Sequence, residues 1–167
     1  MKHTRFFRRG FALLLTSILL LACCACGAQN PNATPAAVPV SVAYATDELL
    51  GQYASYASFD EAGAADSSGF ARVIFTTTAA VKNFKYLEIS FADAGTATDI
   101  SLSSAKTKTL YSAKTLSPET PVVIGTIFAG DAAPYRGISF TDANNKTRVF
   151  YLAQSGQDGT PLLLELT

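Results

Sequence analysis

The sequence predicts a mainly β protein: a small antiparallel β-sandwich of the immunoglobulin-like kind with a short N-terminal helix, a small open β-barrel being the alternative. Three observations carry this. From Phe70 onward, apolar residues recur with a period of two, the spacing that sends alternate side chains to one face of a strand. Seven such segments follow at short, even intervals, with Gly, Asn, Asp, Ser or Pro between them, the rhythm of a sandwich or barrel. Helical patterns between the strands, which a parallel sheet needs for its crossovers, are missing from this stretch.

The chain opens differently. Lys2, Arg5, Arg8 and Arg9 precede an apolar run from Phe11 to Leu21 that ends in Leu20-Leu21-Ala22-Cys23. A basic start, a short apolar core and a small residue before the cut make an export signal, and the run is too short to span a bilayer. The ending resembles the lipobox of a bacterial lipoprotein signal. That resemblance implies cleavage before Cys23, lipid attachment to its thiol, and at least two acyl chains, enough for stable anchoring at the outer face of a membrane. Cys26 and Cys24 are the alternative attachment sites; Cys24 has Cys23 directly before it, and Cys26 has Ala25 before it but a cysteine three positions back. Arg8-Arg9-Gly10-Phe11 resembles part of a twin-arginine export signal, with Phe7 where such signals carry Ser or Thr, so both the general and the twin-arginine route stay open.

Four segments are expected: a signal peptide over 1–22, a lipidated N-terminus and flexible linker over 23–43, a short helix and loop over 44–69, and the antiparallel β domain over 70–167. Pro31, Pro35 and Pro39 among Ala, Asn and Thr make the linker extended. After it, Thr46 can cap a helix whose first turn holds Asp47 and Glu48. Leu49, Leu50, Tyr53, Tyr56 and Ala57 then fall on one face at helical spacing, a stripe for packing against the domain or for a partner. Gly51 weakens that helix.

The expected strands are Phe70–Thr77, Phe84–Phe91, Thr107–Ala113, Pro121–Ala129, Tyr135–Asp142, Thr147–Gln154 and Leu162–Leu166. In the second, Leu87, Ile89 and Phe91 share one face and Tyr86, Glu88 and Ser90 the other. The strongest local signal is Asp142-Ala143-Asn144-Asn145-Lys146, where Asn145 takes the left-handed conformation that closes a three-residue hairpin loop. That register sets Arg136 opposite Leu152, Ile138 opposite Phe150 and Phe140 opposite Arg148. Ile138, Phe140, Phe150 and Leu152 then share a core face. Ser155 to Gly159 offers a second turn, so the last three strands read as a meander. The stretch from Gly137 to Gly159 resembles uncharacterised β-rich domains of bacterial lipoproteins, a resemblance that implies no site residue.

Composition narrows the chemistry. The leader carries four of the thirteen Lys and Arg residues, leaving nine against thirteen acidic residues, a net of −4. Such a surface argues against nucleic-acid binding. His3 is the only histidine, and all three cysteines cluster at the processing site. The mature chain therefore has no His/Cys zinc set, no Ser-His-Asp triad and no Cys-His pair. No cofactor, metal or catalytic residue is expected. A folded part of roughly 125 residues suits one domain and is too small for a two-lobed solute-binding protein.

The weak ligand-patch candidates are Tyr135, Arg136 and Tyr151. A tyrosine beside an arginine can stack on and hydrogen-bond a sugar or an acidic ligand, and the hairpin register puts Tyr135 and Tyr151 on the non-core face. The same parity turns Arg136 toward the core at a strand end, where a guanidinium pairs with a carboxylate or snorkels. Tyr86 is a further aromatic for a sugar platform. Arg72 reads as solvated. Lys106, Lys108 and Lys114 flank a weak strand as edge protection. Asp60, Glu61 and Asp66 lie in a glycine-containing loop without the alternation of an EF-hand.

The expectation is therefore a lipid-anchored extracytoplasmic lipoprotein acting as a non-catalytic protein- or cell-wall-binding module, with a carbohydrate- or small-ligand-binding module as the alternative and an enzyme or enzyme inhibitor third. An open sheet edge or apolar patch favours a protein partner. Coplanar exposed tyrosines beside an arginine favour sugar. A deep pocket with convergent carboxylates favours an enzyme.

Overall fold

A computed structural model describes residues 38–91, 105–128 and 135–167. The expected signal peptide, the candidate lipidation sites Cys23, Cys24 and Cys26, and the proline-rich stretch to Ala37 lie outside the described residues. Nine strands are described: β1 Val40–Tyr44, β2 Ala57–Asp60, β3 Phe70–Thr77, β4 Val81–Phe91, β5 Ala105–Leu116, β6 Val122–Ile127, β7 Tyr135–Thr141, β8 Thr147–Gln154 and β9 Pro161–Glu165. They form a four-stranded sheet, order β1-β3-β6-β2, and a five-stranded sheet, order β5-β4-β7-β8-β9. Neither closes into a barrel, so the domain is a small β-sandwich. All pairs are antiparallel except β2–β6, which is parallel.

The inner faces meet in a core whose largest members are Tyr86, Phe75, Phe84, Phe140 and Phe150. The β7–β8 hairpin has the expected register, Arg136 opposite Leu152 through Phe140 opposite Arg148, and Asn145 is left-handed at φ 59°. Asp142 Oδ1 closes the loop by accepting from the amides of Asn144 and Lys146 at 2.9 and 3.0 Å. Phe140 and Phe150 stack at 5.5 Å on the shared core face.

Three local expectations are corrected. The helix is a single turn, Asp47–Leu50, capped as expected by Thr46 Oγ1, which accepts from Leu49 N–H. The chain leaves it through i→i+3 bonds at Gln52 and Tyr53, so the stripe reaching Tyr56 and Ala57 does not exist. Ala57 instead begins β2, and Tyr56 is exposed. Second, Val40–Tyr44 is a strand where the linker was expected to run to residue 43; Val40 is buried against β3, opposite Thr77. Third, Tyr86 is not a surface aromatic. Asn83, left-handed at φ 52°, sits where the β4–β7 register shifts and lets Val81, Phe84 and Tyr86 all face the sandwich core.

Leu87 and Ile89 consequently lie on the opposite face of the five-stranded sheet. There they form a second apolar cluster with Leu166, flanked by Phe91, Tyr135, Val149 and Tyr151. Gly137 permits this packing, because a Cβ at that position would collide with the Phe150 carbonyl oxygen and the Ile89 side chain.

Candidate functional site

The expected patch of Tyr135, Arg136 and Tyr151 is not assembled. Tyr135 and Tyr151 belong to the outer cluster, with Tyr135 5.6 Å from the Phe91 ring. They are packing residues rather than an open platform. Arg136 turns the other way, between the sheets. Its Nε donates to Glu61 Oε2 at 2.8 Å, and its terminal nitrogen donates to Glu61 Oε1. Only 11% of the arginine side chain and 14% of the glutamate is exposed.

This pair belongs to a polar lock across the sandwich. Glu61 is fixed just past the end of β2 by a hydrogen bond that its backbone N–H donates to the Gly125 carbonyl at 3.0 Å. Tyr86 Oη shares a 2.5 Å hydrogen bond with Thr126 Oγ1 and donates to Glu61 Oε2 at 3.3 Å. Burial pushes the Tyr86 phenol well above its ordinary pKa, against the opposing hydrogen bond with Thr126, and the hydrogen bond to Glu61 raises the Arg136 pKa further. Among the described residues no buried side-chain polar atom lacks a partner. A fully satisfied network fixes the packing of the two sheets; its donors and acceptors are already committed.

Asp60, the neighbour of Glu61 and expected in the acidic loop, is instead the last residue of β2 and is taken by Arg72 at 2.6 Å in an exposed pair. The two acids thus serve different arginines. Lys106, Lys108 and Lys114 line β5, the edge strand of the larger sheet, and Lys108 lies 3.8 Å from Glu88. That placement is the one edge protection requires.

The other flank has a different character. There β1, the edge of one sheet, lies beside β9, the edge of the other. Tyr44 Oη ties them by donating to the Gly159 carbonyl at 2.8 Å and accepting from Gln154 Nε2 at 2.5 Å. Between the strands runs a groove of about 280 Å³, walled by Val38, Val40, Ser41 and Val42 on one side and Pro161, Leu162 and Leu163 on the other. Among the described residues no ionisable side chain lines it. Val38, Leu162 and Leu164 stand out at 40%, 39% and 41% exposure. The one acid of β9, Glu165, is held by both ends of the Arg148 guanidinium, at 2.7 and 2.5 Å. That guanidinium keeps the Glu165 carboxyl below its ordinary pKa.

The β1 half of this flank falls almost wholly within the expected linker. Val40, Val42 and Tyr44 alternate with Ser41 and Ala43, a period-two signal masked by the prolines just before it. No protein-family model matches the chain, and no curated protein or solved structure matches it either.

Proposed function

We propose that the protein is a lipid-anchored extracytoplasmic lipoprotein whose β domain is a non-catalytic module that binds a protein partner along the β1/β9 flank. The observation that carries this is the partly apolar open edge, whose single acid, Glu165, is paired with Arg148. An unprotected edge invites strand addition, which supplies main-chain hydrogen bonds, while exposed apolar side chains supply specificity. Among the described residues the shallow groove has no ionisable lining for acid–base chemistry, and the outer-face tyrosines are packed away from Arg136, which removes support from the sugar-binding alternative.

Two measurements test the reading. Mass spectrometry of the mature N-terminus is expected to find Cys23 lipidated; an unmodified Cys23 in a secreted product overturns the anchoring. A photo-reactive residue replacing Leu164 is expected to cross-link to protein in intact cells, and one replacing Lys108 on the opposite edge is not. Equal labelling from both positions, or none from Leu164, overturns the assignment of the binding edge.

A further inference from the structure

On the β1/β9 flank the directions of the backbone groups follow from the hydrogen bonds. The Ala45 amide donates to the Arg72 carbonyl at 2.9 Å, and the Thr78 amide donates to the Pro39 carbonyl at 3.0 Å. Both bonds continue the β1–β3 register. In an antiparallel pair the bonded residues alternate, so the odd-numbered residues of β1 bond to β3. The N–H and C=O groups of Val40 and Val42 therefore point to the open side. On β9 the Leu166 amide donates to Val149 O at 2.9 Å, and the Ser155 amide donates to Thr160 O at 2.8 Å. By the same alternation the even-numbered residues bond to β8, and the N–H and C=O groups of Leu163 and Glu165 point outward. Pro161 adds only a carbonyl.

Two stacked edges thus end side by side, each offering main-chain donors and acceptors. Ser41 and Val42 of one and Leu162 and Leu163 of the other wall the same groove, so the middles of the two strands are neighbours. A single peptide strand pairs with one sheet and leaves the other edge open. An object with two stacked edges at the same separation closes both, and the molecule is itself such an object.

We infer that the occupant of this flank is a second copy of the chain, an inference that rests on the reading of the flank as the binding edge. A two-fold axis normal to the sheets, passing beside Ser41 and Leu163, sets β9 antiparallel to its counterpart and β1 antiparallel to its counterpart. The four- and five-stranded sheets then continue across the interface, which is isologous. Charge fits this occupant. The described lining of the groove carries none, and Glu165 is neutralised by Arg148 of its own copy. Two copies meeting here face no repulsion, whereas two β5 edges would oppose Lys106, Lys108 and Lys114 to one another. Tethering to a common membrane raises the effective concentration of copies.

The test uses the full mature chain purified in detergent as a mixture of light- and heavy-isotope copies. Sedimentation at concentrations on the order of 10 µM is expected to give a dimer. A photo-reactive residue at position 164 is expected to yield mixed light–heavy cross-links between β9 segments. Leu164→Lys, at an exposed site, is expected to weaken association at least tenfold with an unchanged circular dichroism spectrum; Leu162→Lys serves if the first variant misfolds. A monomer at all concentrations, or a dimer cross-linked through β5, overturns the inference. If the chain is monomeric and position 164 still labels a different protein in cells, the second copy is wrong and the partner-binding reading survives. If position 164 labels nothing, both fall.

Discussion

The β2/β5 flank and the β1/β9 flank are each made of two sheet edges, yet they are finished with different chemistry. On the first, Phe59 of β2 stacks on Tyr111 of β5 at 5.4 Å, Glu61 grips Arg136, and three lysines stud the outermost strand. On the second, one tyrosine bridges the sheets, the strands carry a single neutralised acid, and three aliphatic side chains face solvent. Lysines on an edge deter strand addition because a docking strand must desolvate their charge. A flank that lacks such a device in a protein that carries one elsewhere is suited to being covered. The internal lock and the open edge are therefore separable, and substitutions can break either alone.

The largest effect belongs to the lock. Glu61→Ala leaves the Arg136 guanidinium between the sheets without its main partner; removing one member of a buried pair costs about 3–5 kcal/mol. Glu88, 4.0 Å from the same guanidinium, holds the expected loss near the lower end. The measurement is the urea midpoint with the slope unchanged. Replacing both partners by methionine is expected to recover most of the loss. A midpoint unmoved by Glu61→Ala contradicts the lock.

Strand parity turns Arg136 toward the core, where either a carboxylate partner or snorkelling was expected, and the structure has the carboxylate. That the partner is Glu61, 75 positions earlier, was not legible, because β2 looked like the tail of a helix. Leu49, Leu50, Tyr53 and Tyr56 do fall at helical spacing, and Gly51, the C-cap of the observed single turn, is the residue that signals the stop. The β7–β8 hairpin was legible to the residue because Asn145 and the asparagine-rich loop fix its register locally. The inward turn of Tyr86 was not, since it depends on the irregularity at Asn83. The open edge was hidden for another reason: which strand ends a sheet is set by topology, and periodicity carries no information about neighbours.

On the β1/β9 flank the corresponding tie is weaker. Tyr44→Phe deletes one donated and one accepted hydrogen bond while keeping the ring, which packs edge-on to Phe128 at 6.2 Å. The expected cost is about 1–2 kcal/mol, again from the urea midpoint. A loss as large as that of Glu61→Ala would erase the contrast between the flanks. Next in size, Lys106→Val with Lys108→Val removes two charges from the β5 edge. Each change is expected to move stability by no more than about 0.5 kcal/mol, yet the chain should now associate through β5. Light scattering that rises with concentration and falls on restoring either lysine is the expected result.

The smallest effect is one of pH, and it distinguishes a neutralised edge from one without charge. Arg148 lies 5.1 Å from the Phe150 ring centre and holds Glu165 by hydrogen bonds that depress the carboxyl pKa below its ordinary 4.5. A carboxyl whose folded pKa is lowered adds stability above its unfolded pKa and loses it as pH falls through the folded one. Between pH 7 and 5 the pair is intact and nothing changes. Below about 4.5 the contribution of Glu165 fades, by well under 1 kcal/mol for a pair open to solvent on one side. The amides of Leu164 and Leu166 are then expected to exchange faster than those of β7. As Glu165 gains its proton, Arg148 is left with an uncompensated positive charge beside the open edge, so this flank takes on the repulsion that lysines give β5. Association should therefore weaken below pH 4.5 in wild type, and the dependence should disappear in the variant carrying both Arg148→Met and Glu165→Gln. An association constant flat from pH 7 to 3.5 would mean that Glu165 and Arg148 lie outside the contact.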